Sequence, residues 1–401
     1  MQRIHRWLGC SVFALMLTAC FSQKPPVSTP MDFQWHYTHF VEELLAEGGR
    51  VIDYSSPASI STSEGQAYGM WFALLANDPE RFQRMLSWAN ANLAAGGLGD
   101  RLPSWLWGQS EPDAAGETQW HVLDENAATD ADVWMAYSLL LAAQRWQKPH
   151  FAALGKRLSA RILEQSSVVV AGQRVLLPGP QGFTHEGYIV VNPSYFSFTL
   201  FRGLAELTGD ERWQQVYASS VEILQQVARL PGASIPDWLA LDMNLQIASP
   251  ELLQERHQQL TAAGDYDAIR AYLWLSWEKQ WYSATPPLEA FLGPYHFAAR
   301  HNYPAVEMNP LTGAGSGRGG VGFTAILLPY LQQLSQPQAP LQARLFEDFK
   351  QRLLAFEPEE YKGNYYDTML LMFATSTLGC LAFTQEGVLD LQHKELRDCA
   401  I

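Results

Sequence analysis

Residues 62–78 read TSEGQAYGMWFALLAND. After Glu64 the run carries no charge until Asp78. It has the length and polarity of a buried helix rather than a surface one. Thr62 or Ser63 is placed to cap it, since a hydroxyl there accepts a bond from a free backbone N–H. Glu64 then falls in the first turn. Its simplest role is that of an acid favoured by the positive helix end. Whether it does more depends on what else in the chain meets it.

Working outward, helical periodicity dominates, with apolar residues recurring at spacings of three and four. Helices are predicted over 32–46, 80–94, 129–146, 149–165, 194–207, 210–229, 266–277, 286–299, 323–334, 341–355 and 365–378. Strand-like stretches are few, VVVAGQRVLLPG at 168–179 being one. Six apolar helices open directly after polar or small-residue loops, near Glu64, Asp130, Tyr195, Asp267, Phe323 and Tyr366. Each interval leaves room for one helix out and one back, and antiparallel pairs return to the same end. If the six line the inside of a ring, Glu64, Asp130 and Asp267 converge although they are distant in sequence.

Composition sets limits. The 401 residues are 47% hydrophobic and 17% charged, ample for a core. The net charge of −14 and the absence of a basic patch argue against a nucleic-acid partner. The 14 Trp suit a core and equally suit the faces of sugar rings. The N-terminus reads as a secretory signal over residues 1–19, with Arg3 and Arg6 ahead of a short apolar run. LTAC at 17–20 resembles a lipobox, which makes Cys20 the expected lipidated first residue of the mature chain. The alternative is an ordinary signal with a chance cysteine. Phe21 follows where an Asp would disfavour the outer membrane. Residues 20–30 read as a polar tether, and 31–401 as one domain. Cys380 and Cys399 are free to pair or to remain thiols.

The acids carry the chemical signal. ENAATDADVWMAYSLLLAAQRW (125–146) opens with Asp130 and Asp132, and capping by Thr129 or Asp130 needs only one acid. In GDYDAIRAYLW (264–274) Asp265 is a natural cap. Asp267 is then surplus and lies three residues before Arg270, within helical pairing range. Two carboxyl groups facing across a cleft are the equipment of glycoside hydrolysis. Other signals fall away. GSGRGG (315–320) lacks the strand and the acid of a dinucleotide site. No H-E-x-x-H or G-x-S-x-G occurs.

TSEGQAYGM (62–70), ATDADVWMAYSLLLAAQRW (128–146) and YDAIR (266–270) resemble glycoside hydrolase family 8, the cellulase D family. RVID (50–53), RLPSWLWG (101–108), NPSYF (192–196), GVGFTAILLPYL (320–331) and YYDTMLLMF (365–373) continue the resemblance in order. Within the family, the chain is most similar to the periplasmic endoglucanases of bacterial cellulose synthesis operons. The resemblance implies an all-α (α/α)6 barrel of six inner and six outer helices. It implies an inverting endo-β-1,4-glucanase without metal or cofactor, with Glu64 as general acid and Asp267 as general base. Asp130 is then expected to grip the distorted sugar, beside Tyr195, Tyr266 and Arg270. Trp105 and Trp107 are candidates for stacking on glucose, with core packing as the alternative. The expected partners are β-1,4-glucan, the cellulose synthesis and export machinery, and a membrane reached through Cys20. Chitosan, mixed-linkage glucan or xylan is the alternative substrate. A non-catalytic glucan-binding lipoprotein is the alternative class.

Overall fold

A computed structural model describes residues 29–257, 260–278, 285–334, 340–357, 363–379 and 381–390. The segment expected to be a signal, Cys20, Cys380 and Cys399 lie outside the described residues. Thirteen α-helices occur among the described residues. They are α1 (Phe33–Glu43), α2 (Ser63–Leu75), α3 (Pro79–Asn92), α4 (Thr129–Arg145), α5 (Pro149–Gln165), α6 (Phe198–Thr208) and α7 (Arg212–Val227), then α8 (Pro250–Arg256), α9 (Ala268–Glu278), α10 (Gly293–His301), α11 (Val321–Leu334), α12 (Pro340–Leu354) and α13 (Tyr365–Gly379).

Six of them close a ring. Each of α2, α4, α6, α9, α11 and α13 packs on the next, and α13 returns to α2. These inner helices are apolar on nearly every side; α4 is buried from Thr129 through Ala142 and α9 along its whole length. The outer helices bury one stripe. In α5 that stripe is Phe151, Gly155, Leu158, Ser159, Ile162 and Leu163, the spacing of a helix with one face inward. α3 lies on α2, α5 on α4, α7 on α6, α12 on α11 and α1 on α13. The architecture is the (α/α)6 barrel, and helix α8 is an addition to it.

Aromatic rings fill the axis. The Trp134 ring lies 5.1 Å from Trp71, 5.4 Å from Trp274 and 5.2 Å from Phe373, so one side chain joins four inner helices. Toward the C-terminal end of α9, Arg202 pairs with Glu278 at 2.6 Å. Nearby, Tyr137 donates to the Gly387 carbonyl at 2.7 Å, holding the segment after α13 against the barrel.

The strands exceed what the sequence pattern indicates. Ten short ones occur among the described residues: β1 (Ser61–Thr62), β2 (Leu106–Gln109), β3 (Trp120–Asp124), β4 (Ser167–Val170), β5 (Gln173–Leu176), β6 (Thr184–His185), β7 (Tyr188–Val191), β8 (Leu239–Asp242), β9 (Glu307–Met308) and β10 (Gly315–Ser316). Most are too short to show an alternating pattern. They form the antiparallel sheets β1-β2-β3 and β6-β7-β8 and the pairs β4-β5 and β9-β10. The first sheet matters most for the site, because β1 runs directly into α2 and pairs with β2 through Ser61 and Trp107.

Candidate active site

The N-terminal ends of the inner helices deliver their polar residues to one place. At the start of α2 the cap is Thr62, whose hydroxyl accepts the Gly65 N–H at 3.0 Å. Capping is therefore complete without Glu64. Gly65 has a second use: a Cβ there would sit 3.0 Å from the Tyr365 ring and hydroxyl. Its absence lets Tyr365 lie on the first turn and donate to Glu64 Oε1 at 3.1 Å.

Arg270 is the hub. Its side chain is 2% exposed. Nη1 donates to Glu64 Oε2, to the Tyr68 hydroxyl at 2.8 Å and to Asp130 Oδ2 at 3.1 Å. Nη2 donates to Asp267 Oδ1 at 2.7 Å and to Ser194 Oγ at 3.3 Å. The other oxygen of Asp267 accepts from Asn192 Nδ2 at 2.8 Å. Three acids from three separate helix starts thus share one guanidinium. Glu64 and Asp267 keep 20% and 30% of their side chains exposed, whereas Asp130 keeps 4%, so the first two are the more open of the three.

The local reading of Asp130 as a cap gives way to the tertiary one. The N-cap of α4 is Ala128, with no side-chain cap. Asp130 instead takes its own neighbour's N–H, from Ala131 at 2.7 Å, and the Arg270 contact. Burial pushes its carboxyl up to about 7 against the pull of Arg270, and the Glu64 charge adds to the rise. Asp132 is fully buried, and neither of its oxygens has a hydrogen-bond partner among the described residues. Burial, then the Asp130 charge, raises it well above the usual carboxyl range.

The α9 cap also differs from expectation. Asp237 accepts both the Asp265 and Ala268 N–H groups on one oxygen, each at 2.8 Å. Its pKa is pushed up to about 9, chiefly by burial and next by its hydrogen bond to the Asp265 side chain. Asp237 thus fixes the turn carrying Asp267 through those two backbone N–H groups. Nothing in its local sequence marks it, since its partners lie about thirty residues on.

A cavity of about 520 Å³ opens on this cluster. Glu64, Asp130, Tyr195 and Asp267 line it together with Trp105, Phe183 and Trp238. Phe183 and Trp238 are parallel within 3°, ring centres 6.0 Å apart. Burial, followed by Asp130 and Asp267, keeps the Tyr195 phenol neutral. Tyr266 is 52% exposed and sits outside this lining; its ring meets Phe323 and Tyr366, and its carbonyl accepts the Tyr366 hydroxyl. Trp107 is not among the lining side chains either; its ring packs between Trp88 and Trp120. Tyr68, Asn192, Ser194, Tyr365 and Trp238 also belong to the site, beyond the residues that the sequence pattern indicates. For Asn192, Ser194 and Tyr365 the family-like segments NPSYF and YYDTMLLMF were the available signal. Among the described residues no three His, Cys, Asp or Glu side chains are grouped as metal ligands.

The chain is similar to known proteins over most of its length. A profile of glycosyl hydrolases family 8 matches residues 7–376. An endoglucanase of Escherichia coli (strain K12) is 34% identical over 347 residues, covering 85% of this chain and 88% of that one. An endoglucanase of Xanthomonas axonopodis pv. citri (strain 306) is 35% identical over 349 residues, covering 85% and 84%. The crystal structure of an endo-1,4-D-glucanase from Vibrio fischeri ES114 superposes with a TM-score of 0.78 at 31% identity, covering 88% of this chain and 98% of that chain.

The raised acids fix a sign for stability against pH. Asp130 and Asp237 hold protons in the folded chain at pH values where the unfolded chain, with an ordinary value of 3.8, has lost them. Their contribution is complete below about pH 4 and declines as pH rises through about 7 and about 9. Each group adds a slope of up to about 1.4 kcal/mol per pH unit within its window. Asp237→Asn, a neutral isostere, is expected to flatten the decline between pH 7 and 9 in urea unfolding. An unchanged slope would show that Asp237 is ionised in the folded chain.

Proposed function

This chain belongs to glycosyl hydrolases family 8, and on that footing we propose that it cuts internal β-1,4 bonds of glucan by inversion, with Glu64 as acid and Asp267 as base. The observation that carries the reading is the meeting of three acids on Arg270 inside an aromatic-lined cavity. It is a glycoside hydrolase with endoglucanase relatives, so the cavity is a place for sugar. Trp105 and Trp238 offer flat faces to pyranose rings, and Phe183 backs Trp238.

The charge count supplies the acid. Three carboxylates around one guanidinium leave excess negative charge in a desolvated site, which favours retention of a proton. Burial places that proton on Asp130 first. Glu64 and Asp130 accept from the same Arg270 nitrogen. A sugar hydroxyl that donates to Asp130 favours its ionised form. Glu64 then protonates the leaving oxygen. Asp267, oriented through both oxygens by Arg270 and Asn192, takes a proton from water attacking the opposite face. Inversion needs the two carboxyls about 6.5–9.5 Å apart so that the water fits between them. Glu64 and Asp267 accept from different nitrogens of the Arg270 guanidinium.

The same reading extends to place and purpose. The LTAC signal supports an exported lipoprotein held at a membrane through Cys20, and Phe21 supports the outer membrane. The resemblance to cellulose-operon relatives supports a part in cellulose synthesis and export, alongside the synthase machinery.

Reducing-end release from carboxymethyl cellulose tests the chemistry. Glu64→Gln is expected to lose about 10²–10⁴-fold in rate, with its circular dichroism unchanged. A wild-type chain inactive on this and on xylan, chitosan and mixed-linkage glucan would overturn it in favour of a binding protein. In cells, the wild-type chain is expected in the membrane fraction and Cys20→Ser in the soluble periplasmic fraction. Equal partitioning of the two would contradict lipidation.

A further inference from the structure

The sheet β1-β2-β3 carries a second aromatic array outside the cavity. The Trp107 and Trp120 indoles stack with ring centres 5.1 Å apart and planes 16° apart. Trp88 of α3 meets Trp107 edge-on at 5.3 Å. The Arg50 guanidinium lies 4.4 Å from the Trp107 ring centre and 4.6 Å from that of Trp120. Arg50 is itself held, with Nε donating to Ser61 Oγ at 2.8 Å and Nη2 to the Ser59 carbonyl. Trp120, at the end of this stack, stays 48% exposed.

The arrangement is more than surface cover for a sheet. Cover would bury the outer indole, whereas here a stacked indole and a guanidinium fix it and leave about half of it in water. A ring already held by a stacking partner and a cation loses little further freedom when a ligand lands on it. Its open surface is a rigid, flat, apolar platform of the kind that suits the C–H face of a pyranose.

Position and charge name the occupant. β3 runs from Trp120 to Asp124, and Asp124 lines the catalytic cavity. At ~3.3 Å per residue the two are roughly 13 Å apart along the strand. A polymer leaving the cavity past Asp124 and following β3 arrives at Trp120. The loop joining β2 to β3 exposes Glu111, Asp113 and Glu117, which disfavours a polyanion and is indifferent to a neutral chain.

We infer that Trp120, backed by Trp107 and Arg50, is a surface binding site for a neutral β-linked glucan outside the catalytic cavity, where it holds the chain being cut. This inference rests on the glucanase reading. The site acts on long chains alone, because a short oligosaccharide is held by the cavity without reaching it.

Trp120→Ala tests this, with Trp120→Tyr as the conservative variant that keeps a ring. On hydroxyethyl cellulose the Ala variant is expected to raise KM about three- to tenfold, with kcat held and the Tyr variant near wild type. Its kcat/KM on cellotetraose is expected to match wild type. Affinity electrophoresis in gels containing hydroxyethyl cellulose is expected to retard the wild-type chain more than the Ala variant. Equal KM on the polymer, or equal losses on polymer and tetrasaccharide, would overturn the site. Equal retardation in the gel would also overturn it, and that readout needs no catalysis. An inactive wild type whose retardation still depends on Trp120 would instead remove the catalytic reading and leave the site standing.

Discussion

One buried guanidinium decides how this site is built. Arg270 reaches Glu64 across 206 residues of sequence and Asp130 across 140, and it also holds Asp267 on its own turn. Burying a charge costs several kcal/mol unless partners compensate, and removing one partner of such a network typically costs about 3–5 kcal/mol. The ring of inner helices provides that compensation by aiming three helix starts at one point. The barrel is therefore what makes the acids neighbours, and Arg270 is what makes their proximity tolerable.

Compensation is incomplete, and the remainder is chemically useful. One positive charge faces three carboxyls, with Asp132 and Asp237 close behind in sequence or space. Asp130, Asp132 and Asp237 are all raised, with burial the first cause in each. A fold selected for stability alone would replace such groups with apolar ones of similar volume. Their retention fits a site that keeps a proton near neutral pH and places it beside a second carboxyl. Functional sites are where stability is commonly given up in this way.

Much of this was legible in the sequence, for identifiable reasons. Long apolar helices have a period, so the six inner helices and most of the outer ones fall where the spacing predicts them. The convergence of Glu64, Asp130 and Asp267 followed from counting helices out and back. Local capping rules misled at Asp130 and at Asp265, because distant partners supply what neighbours were expected to supply. Asp237 and Trp238 precede a four-residue strand, β8, too short to betray its pattern. Trp107 shows the limit of reasoning by adjacency. Two residues from the cavity-lining Trp105, it belongs to the outer stack, because β2 carries it onto the face shared with Trp120.

In the proposed mechanism Glu64 is the acid and Asp267 the base, accepting from different nitrogens of Arg270, and inversion requires a water between them. The anomeric configuration of the first-formed reducing ends tests it most directly. Proton NMR during the early hydrolysis of a cellooligosaccharide reads that configuration before mutarotation. The account requires the α anomer to accumulate first. Initial accumulation of the β anomer would mean retention through a covalent intermediate, and the roles given to Glu64 and Asp267 would be wrong.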